Sequence, residues 1–291
     1  MPPHFLMADP GHFDVSYQIN PWMRPDAWGA DPAAGRAAAR LASHALRSAL
    51  ETAGAVVETI DAVRGLPDLV FPANAAILLD RRVLLARFRH SERQGEEAVF
   101  RAAFESLRAR GLVEEIVTLP AGMLQEGAGD CIWDADRGFF WAGHGQRSTE
   151  NSVAAIAQVF GHNTVALELA TERFYHLDTC FCPLAGGKLL YYPPAFTPAS
   201  LAAIHAHIQP SDRIAAADTE AAAFCVNAVN LGRQVIMAKA PESLRQKLQA
   251  HGFRVAEIDL APFILSGGGA YCMTLRLDRS SDRSRTLRAA E

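Results

Sequence analysis

The stretch NAAILLDRRVLLARF, from Asn74 to Phe88, decides how this chain is read. A polar residue opens a short apolar run, the chain turns at Asp80-Arg81, and a second apolar run returns. Turn chemistry between two strand-like runs predicts a β-hairpin. The same plan recurs in DCIWDADRGFFWAGH from Asp130, which turns around Asp136-Arg137-Gly138. It recurs in DTCFCPLAGGKLLYYP from Asp178, turning at Gly186-Gly187, and in NAVNLGRQVIMAK from Asn227, turning at Leu231-Gly232. CMTLRL, from Cys272, reads as a fifth, shortened copy.

Helical patterns separate these hairpins. DPAAGRAAARLASHALRSALETAG puts Asp31 at the N-cap, Pro32 at the first helical position and Gly54 past the end. QGEEAVFRAAFESLRARG carries acids early, arginines late and Gly111 as a stop. TENSVAAIAQVFG, TPASLAAIHAHI and PESLRQKLQAHG add three more helices. Lone strand candidates follow: VVETI, VEEIVTLP, TVALELA, RIAAAD and RVAEIDL. The unit is hairpin, helix, strand, and a period of roughly 50 residues belongs to propellers and arrays. Five units predict a closed ring, an α/β fold built as a five-bladed pseudo-symmetric propeller, in one domain over residues 1–277. Asn74, Asp130, Asp178, Asn227 and Cys272, which open the hairpins, then converge near the axis. A doubly wound α/β sheet is the competing arrangement, because strands and helices alternate there too. Residues 278–291, DRSSDRSRTLRAAE, are polar and charged and read as a flexible tail.

Composition narrows the function classes. The chain has 291 residues, 49% hydrophobic and 21% charged, which suits a globular protein with a sizeable core. A net charge of −4 speaks against a nucleic-acid partner or an anionic membrane surface. No apolar run is long enough to span a bilayer. MPPHFLMADPGHFD lacks the basic and then apolar pattern of a signal peptide. The cysteines are Cys131, Cys180, Cys182, Cys225 and Cys272, an odd number, which points to free thiols and a cytoplasmic setting. Cys180 and Cys182 form C-x-C without a matching Cys/His pair, so no metal site is expected.

One thiol stands apart. In SGGGAYCMTLRL, three glycines clear space just before Cys272. His176 and Asp178 are two apart in FYHLDTCF, and on a strand they would face the same side. Glu126 and Asp130 flank two glycines in EGAGD, ahead of a buried hairpin, where they would form a carboxylate cluster at a pocket rim. Carboxylates around a thiol raise its pKa by repulsion. They make sense when the substrate is itself a cation, and a planar guanidinium is gripped bidentately by carboxylates. His176 could then protonate a leaving amine and activate water in turn. Arg93 and Arg147, in loops just before helices, could hold an amino acid's α-carboxylate.

FDVSYQINPWM, FPANAA, HSERQGEE, EGAGD, HGQR, FYHLDTCFCPL, NAVN and GGGAYCMTLR together resemble the guanidino-group-modifying, or pentein, superfamily. The resemblance runs from Phe5 to about Leu277. It implies a five-bladed α/β propeller, in agreement with the repeats. It also implies that Cys272 is the nucleophile, His176 the general acid/base and Glu126 the carboxylate holding the guanidinium, with Asp130 and Asp178 beside it. Arg93 and Arg147 match a substrate-carboxylate clamp, and Asn20 another substrate contact. Deiminases usually carry an acid where this chain has Asn74. The Asn version looks most like the arginine dihydrolases. The expected activity is hydrolysis of arginine to ornithine, ammonia and carbon dioxide without a cofactor. Dimethylarginine dimethylaminohydrolase and arginine deiminase are the neighbouring alternatives, and a non-catalytic sensor of cationic amino acids is the alternative of another class. The expected partner is a small guanidino compound, with homo-oligomerisation left open.

Overall fold

The structure, a computed structural model, describes residues 2–282. Its strands fall into five separate three-stranded sheets. In four of them a hairpin supplies the first two strands: β3 (Ala76–Leu79) with β4 (Arg82–Leu85), β6 (Cys131–Asp134) with β7 (Phe139–His144), β9 (Phe181–Leu184) with β10 (Lys188–Tyr191), and β12 (Val229–Leu231) with β13 (Gln234–Ala238). A helix then crosses over and returns a third strand parallel to the second: β5 (Glu115–Thr118), β8 (Thr164–Glu168), β11 (Arg213–Ala215) and β14 (Arg254–Ile258). A parallel return needs such a crossover, so each blade is one hairpin plus one βαβ step. Among the described residues no sheet exceeds three strands, which excludes the doubly wound alternative.

The fifth blade repeats this pattern with its strands drawn from both ends of the described chain. β15 (Leu275–Arg276) runs antiparallel to β1 (His4–Ala8), and β2 (Val56–Ile60) lies parallel to β1 after the helix Pro32–Thr52. The shortened fifth copy therefore finds its missing strand in HFLMA, a segment with no turn beside it to mark it as half of a hairpin. The Leu277 amide donates to the His4 carbonyl at 2.7 Å, and the His4 amide donates to Asp278 Oδ1 at 2.9 Å.

The local signals act as their chemistry requires. Asp31 caps the helix Pro32–Thr52 by accepting from the Ala34 amide at 3.0 Å. Gly161 ends Ser152–Phe160 in the left-handed conformation, φ 70°. The turn at Asp80 and Arg81 has φ 49° and 63°, uncommon for non-glycine residues. Asp80 is held there by Ser280 Oγ at 2.8 Å and by the Ser281 amide at 2.9 Å. Of the expected tail, Arg279, Ser280 and Ser281 contact Asp80 of the first hairpin. The rest of the expected tail, 283–291, lies outside the described residues. Among those described, no helix is long and apolar enough to cross a membrane.

Candidate active site

The residues that open the hairpins lie in turns just ahead of the first strand of each blade. Asn74 sits inside the 3-10 turn Pro72–Ala75, Asp130 follows Gly127–Gly129, and Asp178 sits inside Leu177–Thr179. His176 and Asp178 thus do not share a strand, as their spacing suggested; a tight turn separates them. The turns nevertheless gather these side chains at one end of the ring, and all are buried: Glu126 and His176 are 0% exposed, Asp130 and Asp178 1%, Cys272 2%. Glu126 and Asp130 are interior groups, not a pocket rim.

Cys272 Sγ donates to Asp178 Oδ2 at 3.2 Å and accepts from Asn227 Nδ2 at 3.0 Å. Burial and the neighbouring Asp178 carboxylate push the thiol well above its ordinary pKa. Burial likewise raises Asp178, to about 7, although His176 and its hydrogen bonds pull the other way. The second oxygen of Asp178, Oδ1, is a buried acceptor with no hydrogen-bond partner among the described residues. Such a group is costly to leave unmet and is ready for a donor.

His176 Nε2 lies 2.7 Å from Glu126 Oε2. Burial works against the ionised form of Glu126. The Arg147 guanidinium, whose Nη1 donates at 3.1 Å, and the His176 contact outweigh it and hold the carboxyl well below its usual range. An ionised carboxylate only accepts, so Nε2 carries a proton. The other ring nitrogen, Nδ1, faces Asn74 Nδ2 at 3.4 Å. The Asn74 amide cannot be reversed, because its Oδ1 accepts from Arg93 Nη1 at 2.9 Å and arginine has only donors. Nδ1 is therefore an unprotonated acceptor in a loose contact.

Asp130 binds Ser148 Oγ at 2.6 Å and the Leu177 amide at 3.0 Å, which ties its turn to that of His176; burial raises its pKa. Both arginines are already paired. Arg93, on the one-turn helix Ser91–Gln94 rather than in a loop, grips Glu96 at 2.9 and 2.8 Å and also reaches the Asp68 carbonyl and Asn74. Arg147 binds Glu126 and the Ile19 carbonyl and stacks on Tyr175. Three of its five N–H groups carry no hydrogen bond among the described residues, against one for Arg93. Asn20 is occupied by the Ser266 carbonyl and the Trp22 and Met23 amides, and it braces the glycine run.

That run has a mechanical reason. A Cβ on Gly267 would come within 2.8 Å of Asn20 Oδ1, on Gly268 within 2.1 Å of the Phe71 ring, and on Gly269 within 2.8 Å of Asn227 Oδ1. Only glycine lets the chain before Cys272 pass this close to three walls. Among the described residues no group of three or more His, Cys, Asp or Glu is arranged to hold a metal ion.

Comparison with known proteins agrees with this geometry. Residues 10–279 match the family of N,N dimethylarginine dimethylhydrolase, eukaryotic. The chain belongs to this dimethylarginine dimethylhydrolase family. It is 33% identical over 273 residues to the N(G),N(G)-dimethylarginine dimethylaminohydrolase of Mycobacterium tuberculosis, covering 94% of this chain and 85% of that one. It is 41% identical over 272 residues to the bifunctional arginine dihydrolase/ornithine cyclodeaminase ArgZ of Synechocystis, covering 94% of this chain but 37% of ArgZ. The match thus spans little more than a third of ArgZ. The solved N-terminal domain of ArgZ bound to product, an arginine dihydrolase from the ornithine-ammonia cycle in cyanobacteria, superposes with a TM-score of 0.91. That match is at 40% identity over 97% of this chain and 99% of that domain. The family member described here is therefore a five-bladed α/β propeller of the pentein type.

Proposed function

We propose that the protein hydrolyses the guanidino group of arginine and carries the reaction on to ornithine. One observation carries the reading. The Cys272 sulfur touches a buried carboxylate whose other oxygen lacks a partner, beside a histidine held by an ionised glutamate. A thiol ringed by buried acids is a poor nucleophile until a cation enters. A guanidinium would donate to Asp178 Oδ1 and bring positive charge beside the sulfur, which favours the thiolate.

The thiolate adds to the guanidinium carbon, forming a C–S bond. The proton the thiol gives up passes to His176 Nδ1, which hands it to the departing nitrogen; the C–N bond breaks and ammonia leaves. Water, losing a proton to Nδ1, adds to the thiouronium carbon, and the C–S bond breaks to give citrulline. A second round on the ureido group consumes another water. Together the rounds convert arginine and two waters into ornithine, carbon dioxide and two ammonia molecules. Glu126 keeps Nε2 protonated, so proton traffic is confined to Nδ1. Arg147, with its spare N–H groups, is the better-suited clamp for the α-carboxylate, while Arg93 fixes Asn74.

Asn74 supports the second round. Its N–H faces Nδ1 and keeps that nitrogen a base, whereas an ionised aspartate there would accept a hydrogen bond from a protonated Nδ1 and favour imidazolium. By exchanging its loose 3.4 Å contact with Nδ1, while the other N–H stays on the Glu126 carbonyl, the amide can donate to the neutral ureido oxygen of citrulline, which an ionised aspartate cannot. The resemblance to an arginine dihydrolase domain favours the same outcome. A cytoplasmic setting, where the five unpaired cysteines stay reduced, completes the proposal. The test is a product assay on arginine, methylated arginines and agmatine. Ornithine from arginine is expected, with Asn74→Asp stopping at citrulline. Citrulline alone from the unaltered protein would refute the two-round reading, and dimethylamine release from dimethylarginine as the main activity would replace it.

A further inference from the structure

Asn227 opens the fourth hairpin and lies at the site, yet the scheme above gives it no task. It is 0% exposed. Its Oδ1 accepts from the Tyr271 and Cys272 amides, both at 3.1 Å. Reversing the amide would set NH2 against two N–H groups, so the orientation is fixed. Nδ2 must then donate, and its two targets are the Asp178 carbonyl at 3.1 Å and Cys272 Sγ at 3.0 Å. One side chain thus locks the backbone at the nucleophile, the loop bearing Asp178 and the sulfur itself.

Two features show what the fold gives up to place this amide. Gly269 must be glycine, since a Cβ there would meet Asn227 Oδ1 at 2.8 Å and Phe224 at 2.9 Å. Phe224, three residues before Asn227, is fully buried with φ 60°, a conformation that bulky residues seldom adopt. Strain of this kind persists where surrounding structure enforces it, and it gathers at working sites.

We propose that Asn227 is the fixed donor that stabilises the Cys272 thiolate. The inference rests on Cys272 being the nucleophile. The thiol proton already points to Asp178, so the Asn227 N–H meets a sulfur lone pair. When the proton leaves, that contact becomes a bond from a neutral donor to an anion and strengthens. A bond stronger in the reactive form than in the resting form accelerates reaction instead of merely binding. The ionisable groups at the sulfur include Asp178 at 3.2 Å, itself coupled electrostatically to His176, and the Tyr175 phenol; Asp178 and Tyr175 oppose ionisation when charged. Asn227 is the neutral donor set against them.

The test follows the pH dependence of alkylation at residue 272 by chloroacetamidine, a small cationic reagent, read by peptide mass. Asn227→Ala should slow labelling at least about tenfold at fixed pH and move the profile up by about one unit, the equivalent of that factor. Asn227→Asp keeps the shape and the acceptor for the two backbone amides but replaces the donor with an acceptor, and it should slow labelling further. Circular dichroism confirms that each variant is folded. A folded variant whose profile superimposes on that of the unaltered protein would overturn the proposal. Failure of the nucleophile assignment reads differently, because the unaltered protein would then leave Cys272 unlabelled.

Discussion

Asp178 is the residue on which stability and reactivity oppose each other. Burial lifts its pKa to about 7 in the folded chain, against an ordinary value of about 3.9 when unfolded. The folded state therefore holds a proton that the unfolded state has lost between those values. Stability is fully kept below the unfolded pKa, falls as pH rises towards 7, and stays lower above it. Asp178→Asn removes this linkage. The melting temperature of Asp178→Asn relative to the unaltered protein should climb by several degrees between about pH 4 and about pH 8. A difference that does not change with pH would contradict the assignment. Glu126 is the opposite case: Arg147 and His176 keep it ionised, and it contributes stability that begins to be lost as pH falls through the usual carboxylate range and goes on falling below it, towards its depressed folded pKa. Replacing Cys272 with Ser should abolish ammonia release from arginine, and full activity in that variant would refute the chemistry.

At the scale of elements, the glycine run makes the sharpest prediction. Phe71 packs edge-on against Phe13 and Phe263 and cannot retreat from a methyl group at position 268. Gly268→Ala should cost about 1–3 kcal/mol of overpacking, visible as a lower urea midpoint. An unchanged midpoint would show that the walls yield. The hairpins were legible in the sequence because turn residues punctuate apolar runs, and the helices because Asp31, Thr197 and Gly161 cap them as their chemistry demands. HFLMA was not legible, since its partner β15 lies more than 260 residues away and no local turn announces it. Cys272, His176 and Glu126 stand out in the sequence as candidates because thiol, imidazole and acid have chemistry of their own. Asn227 could be placed only by repeat position, because an amide acquires its role from what it faces. The pairing of Arg93 with Glu96 was hidden for the same reason, although the two are only three residues apart, Glu96 opening the helix Glu96–Ala109 that follows Ser91–Gln94.

For the whole molecule, the ring is closed by two residues of β15 and by Asp278 on the His4 amide. The same closure presses the Cys272 loop against Asn74 and Asn227, the Ala73 amide donating to the Cys272 carbonyl at 3.2 Å. Deleting the chain from Leu275 onward should therefore lower the melting temperature and activity together; an unchanged transition would show that the blades stand without closure. In the proposed reading, the ring holds a sulfur beside buried acids whose charge a cationic substrate would offset. The most direct measurement compares chloroacetamidine with its neutral counterpart chloroacetamide as alkylating agents, with the modified residue located by peptide mass. The account predicts that the cation reacts far faster, and at Cys272 alone of the five cysteines. Equal rates for the two reagents, or labelling spread over Cys131, Cys180, Cys182 and Cys225, would contradict it.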